Sequence, residues 1–230
     1  MATFVLVHGA WSGGWCYTKT ARMLRAAGHE VFAPTLTGLG ERSHLANPGI
    51  TLSVHIQDVV NVLQYEDLRD VILVGHSYGG MVVTGVASQM GERLRALVYL
   101  DAFVPEDGQS LWDIAGEQAH EFYLAGQKDT PGFVSSAFAA RSGDPAVQQR
   151  RKRNLDRQPL LTLLEPVTFT GKESAVRRTY IYATKSTFAR FYDKLKNDPA
   201  WTTKTIDTGH LVMMEDPEGL VRLLLEEVEA

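Results

Sequence analysis

Gly75-His76-Ser77-Tyr78-Gly79 places a serine between glycines, after the apolar run "VILV" and ahead of "GGMVVTGVASQMG". A G-x-S-x-G pattern arises by chance in roughly one chain in ten of this length, so its weight comes from its setting. A buried strand enters the motif and a helix leaves it, as a nucleophile elbow requires. The serine of such a bend sits in a strained backbone conformation, and side chains at the flanking glycines would collide with neighbouring strand and helix. The bend would expose Ser77 Oγ and aim a helix N-terminus at the reacting atom.

A serine hydroxyl is a weak nucleophile until a base takes its proton. His210 is the candidate base. It follows the last strand-like run in "DTGHLVMMEDP", and a Gly-His pair near the C-terminus suits the chain order serine, acid, histidine. His76 adjoins the serine but points elsewhere on a tight turn, His55 falls within a helix, and His29, His44 and His120 have no motif around them. The chemistry suggested is acyl transfer, which also needs donors for a developing oxyanion. The Tyr78 amide at the helix start is one. The loop after the first strand, "HGAWSGGW", should give the second, Ala10 before Trp11.

A scaffold must bring these loops together. "TFVLVHG" (3–9), "HEVFAP" (29–34), "RDVILVG" (69–75) and "LRALVYLDAF" (94–103) read as short strands alternating with helices over 16–28, from 52 onward and over 77–91. In the second helix Leu52, Ile56, Val59, Val60 and Leu63 share one face. The alternation returns with "RRTYIYAT" (177–184), a helix near 187–197, "WTTKTIDTG" (201–209) and the closing helix "PEGLVRLLLEEVEA". This is the pattern of an α/β fold, a mostly parallel central sheet flanked by helices. Between 104 and 176 the rhythm stops: Trp112, Phe122, Tyr123, Phe133 and Phe138 lie among polar residues in pieces broken by prolines. We read a helical insertion within a single domain, 1–230, and its basic run "RRKR" (150–153) as a solvated helix face.

The net charge of −4 lacks the clustered cations that nucleic-acid binders need, which favours a small or neutral ligand. The single cysteine, Cys16, allows no intrachain disulfide and has no partner at metal-ligand spacing. It reads as a buried, apolar-like residue. The N-terminus has no signal-peptide pattern and no stretch reaches membrane-spanning length, so the expectation is a cytoplasmic protein without membrane contact. A homodimer is left open.

The stretches "FVLVHGAWSGGW", "AAGHEVFAPTLTGLG", "VILVGHSYGGMV", "LVYLDAFVPEDG" and "DTGHLVMMEDPEGL" resemble the α/β-hydrolase superfamily, and within it the plant methylesterase and hydroxynitrile lyase group with its bacterial esterase relatives. The resemblance implies an α/β-hydrolase fold and a serine esterase with no cofactor and no metal, its pocket under a helical cap that corresponds to 104–176. The lyases of the group carry threonine at the position of Gly9 and lysine at that of Leu211, so both residues favour ester hydrolysis. The group's catalytic aspartate usually follows the strand matching "TYIYAT", where this chain has Lys185-Ser186-Thr187 and no carboxylate.

Asp101, at the end of "LVYLD", is the replacement acid we expect, because neighbouring strands lie only about 4.8 Å apart and an acid moved by one strand can still reach the histidine. Asp207 comes second, and Ser186 could hold the ring without supplying charge. Trp11, Trp112, Leu211 and Met213 are the expected pocket residues, for a small to medium apolar or aromatic ester. The alternatives are a lyase or other cofactor-free enzyme on the same scaffold, and a small-ligand receptor with little turnover.

Overall fold

The computed structural model describes residues 1–125, 127, 130–135 and 157–229. In chain order its elements begin with β1 (Thr3–Val7), α1 (Thr18–Ala26), β2 (Glu30–Phe32), α2 (Leu52–Tyr65), β3 (Val71–His76), α3 (Gly79–Met90) and β4 (Leu94–Leu100). Then come α4 (Leu111–Ala115), α5 (Glu117–Ala125), β5 (Phe133–Ser135), β6 (Arg157–Pro159) and α6 (Leu161–Leu164). The chain closes with β7 (Arg177–Ala183), α7 (Ala189–Leu195), β8 (Trp201–Ile206), α8 (Val212–Glu215) and α9 (Pro217–Glu229).

Strand side chains alternate between faces, and here both faces are apolar. In β1, Phe4 and Leu6 enter one core layer while Val5 and Val7 enter the other; in β3, Ile72 and Val74 stand opposite Val71 and Leu73. Such strands need cover on both sides. Leu24 of α1, Val212 of α8 and Leu220 and Leu224 of α9 close the first layer, while Ile56 and Val59 of α2, Met81 of α3 and Phe191 of α7 close the second. The strand order is β2-β1-β3-β4-β7-β8, and every neighbouring pair in this sheet is parallel.

Register positions the chemistry. Val7 pairs with Gly75, His76 with Leu100 and Leu100 with Ile181, so the residues that follow β1, β3 and β4 leave the sheet at one edge. Those residues include His8, Ser77 and Asp101. Open α/β sheets bind ligands at the carboxyl ends of their strands.

Three expectations need correction. The second strand spans only Glu30–Phe32 and the fourth stops at Leu100, because Asp101 turns to φ 43° and leaves the extended region. The first helix opens with a 3-10 turn at Gly14–Tyr17, which holds the buried Cys16. Between 104 and 176 the described elements are not all helical: β5 and β6 pair antiparallel, Phe133 against Pro159. Three-residue strands are too short to show a period, and Pro159 suits an edge strand only. From this stretch Leu111, Tyr123, Val134 and Leu163 join the core layer of α2 and α3. The basic run 150–153 lies outside the described residues. No described helix is long and apolar enough to cross a membrane.

Candidate active site

Ser77 adopts φ 54°, a left-handed conformation that a non-glycine residue holds only where its surroundings impose it. Its carbonyl accepts from the Gly80 amide at 3.0 Å and the Phe103 amide at 3.1 Å, fixing the bend against the segment after β4. The glycines around it have no room for a side chain. A Cβ on Gly75 would stand 2.6 Å from Gly79 O, and one on Gly80 only 2.0 Å from Phe103 O. Strand β3 can meet helix α3, and α3 the segment after β4, this closely only without those side chains.

Across the sheet edge, His210 Nδ1 lies 2.6 Å from Asp101 Oδ2. Asp101 is fully buried, and a buried carboxylate must be compensated by donors. Besides the His210 ring it has the Ala183 amide at 3.1 Å and the Ser186 hydroxyl at 2.8 Å, both on Oδ1. The His210 ring is held on its faces as well. Phe188 stacks on it at 4.8 Å and 14°, and the His76 ring lies 4.6 Å away. His76 Nε2–H donates to the His210 carbonyl at 2.8 Å, tying the histidine loop to the residue before Ser77. Among the described residues no hydrogen bond joins Ser77 Oγ to His210; the His210 ring packs on His76, the residue before Ser77, and its Nε2 is the ring nitrogen not taken by Asp101.

The loop after β1 is built on a buried neutral histidine. His8 Nδ1–H donates to Gly9 O at 2.8 Å while Nε2 accepts from the Leu36 amide at 3.1 Å, an arrangement only the neutral ring can make. Burial lowers its pKa to about 4. Trp11 follows at φ 55°, its indole N–H donating to Val134 O at 2.7 Å and its amide to Gln158 Oε1 at 3.3 Å. The Trp11 amide is therefore engaged by the β5–β6 hairpin. Among the described residues the Ala10 and Tyr78 amides have no hydrogen-bond partner. Tyr78 is anchored at its far end: the phenol donates to His55 Nδ1 at 2.8 Å, and His55 Nε2–H donates to Thr37 O at 2.9 Å. His55 too is kept neutral by burial, its pKa lowered to about 4, and burial pushes the Tyr78 phenol well up.

The sequence matches the model of the alpha/beta hydrolase family over residues 4–223. The chain belongs to that family. This hydrolase is 42% identical to the carbendazim hydrolyzing esterase of Nocardioides sp. (strain SG-4G), across 97% of this chain and 98% of that one. It is 28% identical to methyl jasmonate esterase 1 of Vitis vinifera, across 99% of this chain and 97% of the other. Among solved structures, an extracellular alpha/beta-hydrolase from a Paenibacillus species shares the fold at TM-score 0.85 and 24% identity, covering 99% of each chain. A methylesterase from Arabidopsis, MES16, does so at TM-score 0.79 and 24% identity, covering 100% of this chain and 99% of that one.

The hydrolase brings together Ser77, Tyr78, Ala10, His210 and Asp101 at one edge of the sheet. Asp207 is elsewhere: it is exposed, paired with Lys185 at 3.1 Å and with the Thr184 hydroxyl at 3.0 Å. The expected pocket residues divide. Trp11 packs edge-to-face on Phe122, and Trp112 stacks on His120 at 3.9 Å; both lie on the α2–α3 side. Leu211 is half-buried beside His210 and joins neither core layer. Met213 is the correction. It is 1% exposed and packs with Phe4, Leu6 and Leu224 under the opposite face of the sheet, because α8 turns its apolar side inward there. Among the described residues no group of three or more His, Cys, Asp or Glu side chains is placed to hold a metal ion.

Sequence reasoning missed Phe188 and Gln158 and gave His55 and His76 no role. Phe188 and Gln158 reach the site from loops and short strands whose course no local pattern encodes. The histidines carried a signal only as pairs: His55 with the tyrosine of the motif, and His76 with a backbone carbonyl 134 residues away.

Proposed function

We propose that this hydrolase cleaves carboxylic esters through an acyl-enzyme on Ser77. His210 Nε2 takes the Ser77 proton as Oγ bonds to the ester carbonyl carbon, and the tetrahedral oxyanion is held by the Tyr78 and Ala10 amides. Collapse breaks the carbon–oxygen bond to the alcohol, which leaves with the proton from His210. Water then attacks the acyl carbon, gives its proton to His210, and the acid departs as Ser77 recovers the proton. Asp101 keeps His210 in the tautomer with Nδ1 protonated and stabilises the imidazolium formed in each half-reaction. The observation that carries this reading is the 2.6 Å bond between His210 Nδ1 and the buried Asp101 carboxylate, on a ring packed against the residue preceding Ser77.

The described part of 104–176 acts as a cap beside the elbow, its Val134 and Gln158 binding Trp11, and Trp11, Trp112 and Leu211 give the substrate a largely apolar surface. The names of the relatives, a carbendazim hydrolyzing esterase and a methyl jasmonate esterase, favour small-alcohol esters of ring-containing acids and related acyl compounds. The test is release of nitrophenol from short nitrophenyl esters, followed by methyl jasmonate and carbendazim. Turnover by the native chain and its loss in Ser77→Ala is the result expected. Turnover retained by Ser77→Ala, or a single product equivalent and then none, contradicts the reading.

A further inference from the structure

The loop after β7 has no carboxylate, yet it is the most closely connected part of the acid–base pair. Ala183 ends the strand, and the Ser186 amide donates back to Ala183 O at 2.9 Å, folding the chain over the strand end. The turn is held from its other side by the Thr184 amide on Ile206 O at 2.9 Å and the Lys185 amide on Thr208 O at 3.0 Å. This delivers the Ser186 hydroxyl to Asp101 Oδ1 at 2.8 Å, while its oxygen accepts the Phe188 amide at 3.1 Å. A hydroxyl has one proton to give and lone pairs to receive with. At Ser186 the proton goes to the carboxylate and a lone pair to the backbone that carries Phe188.

Building on the acyl-transfer reading above, we propose that Ser186 is a positioning residue: one hydroxyl fixes both the carboxylate that holds His210 and the backbone of the ring stacked on it. Two features make this more than a filled hydrogen-bond vacancy. The Asp101 oxygens are divided, Oδ2 to His210 and Oδ1 to Ala183 and Ser186, so loss of the hydroxyl leaves a buried charge short of a donor, with the Ala183 amide alone on Oδ1. Phe188, fixed by the same hydroxyl, lies nearly parallel to the imidazole at 4.8 Å, where an aromatic face favours the cationic ring formed in the transition state. Phe188 is itself braced edge-to-face by Phe103 at 5.0 Å, the residue whose amide binds Ser77 O. The acid, the base and the elbow thus share one set of supports.

The test is a double-mutant cycle read as kcat and KM on a nitrophenyl ester. Ser186→Ala should lower kcat about tenfold or more, the worth of a hydrogen bond to a charged group, with KM within about twofold. Ser186→Thr, which keeps the hydroxyl, should recover most of that loss. In an Asp101→Asn background Ser186→Ala should cost markedly less, because the larger part of its effect runs through the carboxylate and only the part through Phe188 remains. Unchanged kcat in Ser186→Ala while Asp101→Asn is impaired overturns this proposal alone. The same loss in both backgrounds overturns it too, since that marks a general packing role. An Asp101→Asn variant as active as the native chain removes instead the acid assignment on which the proposal stands.

Discussion

His210 Nδ1 and Asp101 Oδ2 stand 2.6 Å apart although 109 residues separate them and the carboxylate follows β4, not the neighbouring strand β7. Parallel register makes this geometry ordinary. Leu100 pairs with Ile181, and the Asp101 amide donates to Ile181 O at 2.7 Å before the chain turns to φ 43°. The acid thus leaves one strand and lies over the end of the next.

Asp101→Asn is expected to lower kcat by about 10³ to 10⁴-fold, since an amide cannot stabilise imidazolium and one of its faces would meet the Ser186 or Ala183 donors. Asp207→Asn, on an exposed ion pair with Lys185, should change kcat by less than about twofold. Steady-state kinetics of the two variants decide between them. Equal rates for native chain and Asp101→Asn would remove Asp101 from the mechanism.

His8 and His55 are buried neutral, each with its pKa lowered from 6.5 to about 4. The unfolded chain binds protons at these rings near pH 6.5, whereas the folded chain does not until near pH 4. Stability is therefore full above 6.5 and falls as the pH is lowered toward 4. The loss should reach on the order of 2 kcal/mol per ring by pH 5, where ordinary carboxylates have only begun to titrate. Urea midpoints measured from pH 7.5 to 5 should decline steadily. A flat profile would show that the rings charge freely in the folded state.

Gly9 lies against the elbow. A Cβ there would stand 2.9 Å from both Ser77 Cβ and His76 Nδ1. Gly9→Thr should lower kcat by about a hundredfold by displacing the reacting hydroxyl from its attack position. Circular dichroism and kinetics together check this, with native rates for a folded variant as the contrary result.

Gln158 is fully buried and holds the Trp11 amide, while its own Nε2–H donates to Thr162 Oγ1 at 2.7 Å. Gln158→Leu should release the φ 55° bend at Trp11 and with it the placement of Ala10, lowering kcat about tenfold with little change in KM. Unchanged kcat would mean that the loop keeps its shape without the hairpin.

Much of this arrangement is legible in the amino-acid order because it rests on local backbone demands. The two-sided apolar runs of β1, β3 and β4 announce a parallel sheet, and the glycines beside Ser77 announce a contact that excludes side chains. Asp101 could be proposed only through the family resemblance, which points to the loop at 185–187 where this chain has no acid. The β5–β6 hairpin, the partnership of Gln158 with Trp11 and the stacking of Phe188 on His210 are products of tertiary packing. They join residues far apart in sequence through single side chains, and no periodicity records such meetings. Met213 shows the converse error: nearness in sequence to His210 suggested a pocket residue, yet the helix turn of α8 points it into the opposite core.

The most direct test of the central claim is covalent labelling with an aryl phosphonate ester, followed by peptide mass spectrometry. One phosphonyl group on the peptide that contains Ser77, formed rapidly by the native chain, about a thousandfold more slowly by His210→Ala and not at all by Ser77→Ala, is the result expected. A label on another residue, or equal labelling rates with and without the His210 imidazole, would contradict the account.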